Sequence, residues 1–289
     1  MHSVESRNFS YHEEMRFFTR FLATVLATIL LPTFLVMAQV AQITPGDNLV
    51  VEGIPPIPAS LAQEVDRYTQ FRSAGLLSWH PTKREILIST RFGDVPQVHR
   101  VQFPMGARQQ MTFFPEPIYG ASFQPTNGQY FVFSKDSGGN EFSQNYRYDF
   151  ESGDVTLLTD GKSRNSGGVW SNKGDRIIYT STRRNGAATD FYITDPTNPK
   201  SDRLLTEVET GGWGGLNWSP DDRQLLAIEF LSVNESYLWL IDTQTGEKKL
   251  VTPKGEKTKV AYQGGVFSKD GKGLYVVTDR ESEFQRLAY

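Results

Sequence analysis

With 289 residues, 38% of them hydrophobic and 22% charged, the chain has the make-up of a folded protein rather than a disordered one. Lysine and arginine number 30 against 33 aspartates and glutamates, a formal charge of −3, so the basic surplus that nucleic-acid binding needs is missing. The absence of cysteine excludes a disulfide framework, a thiolate metal site and a cysteine nucleophile; with four histidines, two of them (His2 and His12) near the start, no metal or other cofactor is expected.

The first element in chain order is an address. Residues Phe21 to Ala38 read FLATVLATILLPTFLVMA behind Arg16 and Arg20, the pattern of a secretory signal peptide cut after Ala38. Glu5, Glu13 and Glu14 fit a leader badly, whereas MRFFTRF from Met15 fits well, so translation is expected to start at Met15. Cleavage is favoured by Pro32, three threonines and the small Ala38; an uncleaved run would instead be a single-span anchor, the one route to a membrane. Either way the body of the protein is expected outside the cytoplasm, periplasmic or extracellular. Residues 39–73 follow as a strap and helix. The IPPIP of Ile54 to Pro58 forbids a helix, and Ala59 to Ser73 then sets Leu61, Val65, Tyr68 and Phe71 on roughly one helical face.

Over 74–289 a repeat takes over. Five aromatic anchors, Trp79, Phe123, Trp170, Trp218 and Phe267, stand 44, 47, 48 and 49 residues apart, the period of a propeller blade. Each is followed by a polar turn, and at anchor plus seven an apolar run begins, at Ile86, Tyr130, Ile177, Leu225 and Leu274. Two short β-rich runs split by a turn make a hairpin. Third strands follow at Gln97, Tyr146, Phe191 and Tyr237, and fourth strands end in Thr112, Thr159, Thr206 and Thr252. Four strands per period make one blade. A generic β-sandwich has no reason to keep the anchor-to-strand count five times. The expected fold is therefore all-β: a β-propeller of four-stranded blades, four complete and part of a fifth, preceded by a signal peptide and a short helix. The sequence stops inside the third strand of the fifth unit, FQRLAY, with Leu49 to Glu52 (LVVE) the sole candidate to complete it; a fragment of a longer protein is the simplest expectation.

The anchor followed by Ser-Pro-Asp-Asp (Trp218 to Asp222) or Ser-Lys-Asp-Gly (Phe267 to Gly271) resembles the WD-like repeat of TolB-type propellers and of the N-terminal propeller of prolyl-oligopeptidase-family serine peptidases. The leader, the strap, the helix and the loops TRFGDVPQVH (Thr90 to His99), GGNEFSQ (Gly138 to Gln144) and TDRESEFQRLAY (Thr278 to Tyr289) look closest to secreted bacterial members of that peptidase family. The resemblance covers about Ile54 to Tyr289. It implies a C-terminal α/β-hydrolase domain with a Ser-Asp-His triad beyond residue 289, and a propeller that caps the active site and filters peptide substrates by size.

The chain itself holds no G-x-S-x-G nucleophile elbow, so no catalytic residue is expected in it. His80, at the position filled elsewhere by Gln124, Asn172, Ser219 and Ser268, and His99, on a strand, read as structural. Glu229, Glu235 and Glu283 are isolated, which gives no support to capture of a substrate amine by paired glutamates. Tyr119, Trp213 and Tyr262, four or five residues ahead of an anchor, are substrate-contact candidates at the mouth of the channel; packing between blades is the plainer role. Arg183-Arg184 reads as a solvated hairpin tip, and Asn8 and Asn234 match the glycosylation pattern, which matters only in a eukaryotic secretory route. The leading function is the gating propeller of a secreted serine peptidase, the rival a TolB-like periplasmic scaffold that binds protein partners without catalysis.

Overall fold

The computed structural model describes residues 41–47 and 49–289. The leader expected over 1–38, with its start at Met15, lies outside the described residues. Contacts divide the chain into two compact units, Met1–Phe71 and Arg72–Tyr289.

In the first unit the strap is extended, as its prolines require. Gln42 bridges Pro58, and Ile43 N–H donates to Ile57 O at 2.9 Å. Helix α1 spans Ala59–Thr69, shorter than the Ala59–Ser73 expected, because the chain must be extended again by Gly75 to enter the first strand. Leu61, Val65 and Tyr68 are exposed, so the helix buries none of its residues. The run Leu49 to Glu52 belongs to no strand, and Val50 is 84% exposed. It is too short and too apolar on both faces to hold a strand without a partner.

The second unit is five antiparallel meanders. Blade 1 is β1 (Gly75–Trp79), β2 (Ile86–Thr90), β3 (Gln97–Val101) and β4 (Gln109–Gln110); blade 2 is β5 (Gly120–Phe123), β6 (Tyr130–Lys135), β7 (Gln144–Asp149) and β8 (Val155–Leu157). Blade 3 is β9 (Asn165–Trp170), β10 (Ile177–Ser181), β11 (Asp190–Asp195) and β12 (Asn198–Thr206). Blade 4 is β13 (Trp213–Trp218), β14 (Gln224–Ser232), β15 (Glu235–Asp242) and β16 (Lys248–Leu250). Blade 5 has three strands, β17 (Tyr262–Phe267), β18 (Leu274–Thr278) and β19 (Arg286–Ala288). Every anchor closes an innermost strand, as the spacing predicts.

The residue after each anchor explains the constant turn. His80 Nδ1 accepts from the N–H groups of Thr82 and Lys83, both at 3.1 Å. Gln124 Oε1 accepts from Thr126, Asn127 and Gly128, and the hydroxyls of Ser171, Ser219 and Ser268 accept from the far side of their own turns. One buried side-chain acceptor thus ties each turn down. The equivalent in blade 3 is Ser171; Asn172, one residue later, has another task, bridging to the next blade.

Three of the anchors, Phe123, Trp170 and Trp218, also pack backwards onto the preceding blade. Phe123 meets the His80 ring edge-on at 4.9 Å, the Trp170 indole N–H donates to Ser122 Oγ, and that of Trp218 donates to Val169 O, both at 2.9 Å. Apolar cores form between blades 1 and 2 around Leu87, Val98 and Phe131, between 3 and 4 around Ile178, Phe191 and Trp218, and between 4 and 5 around Leu226 and Leu238.

Candidate functional site

A meander of this kind sends the loops between second and third strands, and those leading to the next innermost strand, to the same end of every blade. That end holds many of the ion pairs of the second unit, among them Lys135–Glu116 at 3.0 Å, Arg183–Asp202 at 2.8 Å, Arg184–Asp190 at 2.7 Å, Lys254–Glu229 at 3.0 Å, Lys259–Glu235 at 2.7 Å and Arg280–Glu256 at 3.0 Å. The pairing lowers the Glu116, Glu235 and Glu256 carboxyls below the usual range, in each case chiefly through the hydrogen bond from the paired cation. These carboxylates are salt-bridged acceptors, a poor start for acid or base catalysis near neutral pH.

Arg183 and Arg184 are not a solvated tip. Arg184 forks onto Asp190, whose side chain is fully buried and also accepts the Val208 N–H. Arg183 donates to Asp202 and to the Tyr179 hydroxyl and lies over the Tyr192 ring, 4.2 Å from its centre. Burial, with the Asp202 hydrogen bond, pushes the Tyr179 hydroxyl far up. A planar guanidinium is the group that can serve a carboxylate, a hydroxyl and an aromatic face together.

The three substrate-contact candidates stand at the start of innermost strands β5, β13 and β17. Tyr119 is exposed. Trp213 is buried in the core between blades 3 and 4, its ring 5.3 Å from that of Trp239. Tyr262 is buried between blades 4 and 5, where its backbone N–H and C=O both bond the Ser236 hydroxyl, at 2.7 and 2.8 Å. Tyr119 thus lies at the surface and the other two in separate inter-blade cores. His80 is the neutral acceptor described above, and burial, the largest influence, lowers its pKa. His99 is fully buried with Nδ1 3.0 Å from Gln97 O and its ring edge-on to Phe92; burial lowers its pKa too. Glu229 accepts from the Trp239 indole and from Lys254. Among the described residues no group of three or more histidine, aspartate or glutamate side chains is placed to hold a metal ion, and no helix is long and apolar enough to cross a membrane.

Two clefts open between blades. One, about 400 Å³, lies between blades 4 and 5 and is lined mainly by apolar groups such as Leu238, Leu240, Phe267 and Leu274. The other, about 330 Å³, lies between blades 2 and 3 and carries Ser122, Ser134 and Asn145 among its walls, a polar lining that the repeat register did not single out.

The outer faces of the terminal blades are also unusual. Trp79 and Leu76 are exposed on the face of blade 1 turned away from blade 2, where Phe123 and Trp218 at the same place in the repeat are 2% exposed. Blade 5 exposes Val266, Tyr275, Val277 and Leu287 on the face turned away from blade 4. Isolated apolar residues on a surface are ordinary; a whole sheet face is not.

No protein-family model and no curated protein sequence matches the chain. Solved structures do. A prolyl endopeptidase, from a study of inter-domain dynamics in catalysis and specificity, superposes with a TM-score of 0.60 at 14% identity over 75% of this chain and 34% of its own. A puromycin hydrolase gives 0.52 at 14% identity over 72% of this chain and 36% of its own. A putative TolB from Agrobacterium tumefaciens gives 0.50 at 16% identity over 71% of this chain and 69% of its own. The chain therefore spans about a third of the length of the two hydrolases. What all three share with it is the fold, a β-propeller.

Proposed function

We propose that these residues are the propeller of a secreted serine peptidase of the prolyl oligopeptidase family, gating the access of peptides to a C-terminal α/β-hydrolase domain beyond residue 289. The observation that carries the reading is the set of loop strings Thr90 to His99, Gly138 to Gln144 and Thr278 to Tyr289. The ion-paired carboxylates and the two neutral, buried histidines agree with chemistry performed elsewhere. In this reading further blades cover Trp79 on one side and Tyr275 on the other, the expected domains are 1–38 leader, 39–73 strap and helix and 74–289 propeller, and Tyr119 is the substrate-contact candidate free to meet a peptide. The TolB-like alternative is a periplasmic protein-binding propeller without catalysis, whose WD-like repeat the Ser-Pro-Asp-Asp turn at Ser219 to Asp222 resembles as well.

The test is to read the source gene past codon 289 and treat its whole product with a fluorophosphonate, which labels activated serines. A labelled G-x-S-x-G serine beyond residue 289, with the 289-residue chain unlabelled, supports the peptidase. A product of blades alone that takes no label supports the scaffold. A label within residues 1–289 sinks both.

A further inference from the structure

The junction between blades 2 and 3 is built differently from its neighbours. The third strand presents one side chain to the following blade at a fixed place: Val98 in blade 1, Phe191 in blade 3, Leu238 in blade 4, all within 1% of complete burial and all in an inter-blade core. These pair across the sheet with Ser89, Thr180 and Ile228. In blade 2 the pair is Asn145 with Ser134. No apolar core joins blades 2 and 3 among the described residues; the cleft of about 330 Å³ stands there instead.

Asn145 is 7% exposed, and its side-chain amide makes no hydrogen bond although it lines the cleft. Its backbone is satisfied, by Thr159 Oγ1 and by the Leu158 N–H, so only the amide is left over. The amide faces the open cleft, and a polar pair here, against the apolar pattern of three other blades, leaves its donor and acceptor to whatever occupies the cleft. Ser134 Oγ likewise has no partner, and Ser122 Oγ, which accepts from the Trp170 indole, keeps its own proton to donate. Across the cleft Gly167 and Gly168 expose backbone toward the axis, with no atom within 4 Å of where a Gly167 side chain would start. No charged side chain lines the walls; Val132, Trp170 and Ile177 supply apolar contact.

We infer that the cleft between blades 2 and 3 is a binding site for a small uncharged group that both donates and accepts hydrogen bonds, a carboxamide or peptide unit, held by the Asn145 amide. An amide is the natural partner of an amide, one donor and one acceptor on each side. The volume is at the small end of ligand pockets and takes one residue rather than a chain. The inference does not depend on a hydrolase domain.

The experiment uses the full chain, labelled with 15N, titrated with N-acetylglycine N-methylamide and followed at the Asn145 side-chain amide and the Gly167 and Gly168 backbone amides. Saturable shifts at all three are expected. The Asn145→Leu variant, which restores the residue type of the other blades, is expected to melt higher than the parent and to bind the probe at least tenfold more weakly, read at the two glycines. Shifts that grow without saturating, or that are equal in the variant, reduce the cleft to a hydrated gap and overturn the inference. So does an Asn145→Leu protein that melts lower, because the amide would then be a structural group.

Discussion

Asn172 docks on Asp222 across the junction of blades 3 and 4. Its backbone N–H and its side-chain amide both donate to one carboxylate oxygen, at 2.7 and 2.8 Å, while the Lys173 N–H donates to the other at 3.0 Å. Asp222 is 3% exposed and sits at φ +59°, in the left-handed region where Gly174 and Gly271 stand in the neighbouring turns. Aspartate tolerates that conformation better than most side chains, yet glycine is the easier choice. Its presence is explained by the latch.

Asp222→Gly therefore separates two effects. The backbone gains ease and the three donors lose a charged acceptor. Hydrogen bonds to charged groups are worth about 1.5–3 kcal/mol, more than the conformational relief of about 1 kcal/mol. A net loss of about 1–2 kcal/mol in urea unfolding is expected. A variant as stable as the parent would mean that the latch contributes nothing.

The buried pair Arg184–Asp190 gives a larger effect. Asp190 is inaccessible and depends on Arg184 and the Val208 N–H. Removing the guanidinium leaves the buried Asp190 carboxylate without its charged partner, which destabilises the fold. Arg184→Ala is expected to lower the urea midpoint, by less than the loss of a fully buried pair would, since the arginine is one-third exposed and water can enter its place. Asp190→Asn with Arg184→Ala is expected to recover part of the loss in the same urea titration.

How much of this could be read from the sequence follows from what repeats. The anchors, the second strands and the turns recur at fixed spacing because each blade solves the same closure problem, so they were legible without an alignment. The inter-blade chemistry does not recur. Arg183 and Arg184 look like a loop tip until Asp202 and Asp190, from two further strand segments, are brought beside them. Asn145 sits in the polar-looking string QNYRYD, where alternation alone cannot tell which face meets the next blade. Only comparison with Val98, Phe191 and Leu238 in register exposes it. The apolar face of α1 was legible as a pattern, and within the described residues that face is exposed.

Histidine gives the fold an acid limit. Burial lowers the pKa of both His80 and His99 from the ordinary 6.5, so the folded state favours the neutral rings. A folded value below the unfolded one means stability that is complete above about pH 6.5 and is lost as pH falls from there toward the folded values. For His80 the structural meaning is direct: protonation turns the Nδ1 acceptor of the Thr82 and Lys83 amides into a donor. The urea midpoint is expected to be flat from pH 8 to 7 and to fall as the pH drops below about 6.5. His80→Gln, which copies the Gln124 arrangement of blade 2, is expected to remove part of that fall. An unchanged profile would assign the whole of it to His99 and the carboxylates.

The equivalence of Trp79 and Trp218 in sequence but not in surroundings yields the last prediction. Trp218 is 2% exposed, inside the core of blades 3 and 4, and donates its indole N–H to Val169 O. Truncating a buried aromatic costs about 3–5 kcal/mol, so Trp218→Ala is expected to unfold the chain in mild urea or to prevent its purification. Trp79 is 67% exposed, and among the described residues no blade lies behind it. Trp79→Ala is expected to change the stability of the 289-residue chain by no more than about 0.5 kcal/mol, as exposed substitutions do. If further blades cover that face in a longer gene product, the same substitution there is expected to cost what Trp218→Ala costs here. The contrast in Trp79→Ala between the two lengths of chain is thus a direct measure of whether the open face of blade 1 is an inter-blade surface. Equal, small effects in both would leave that face to solvent and remove one support of the peptidase reading.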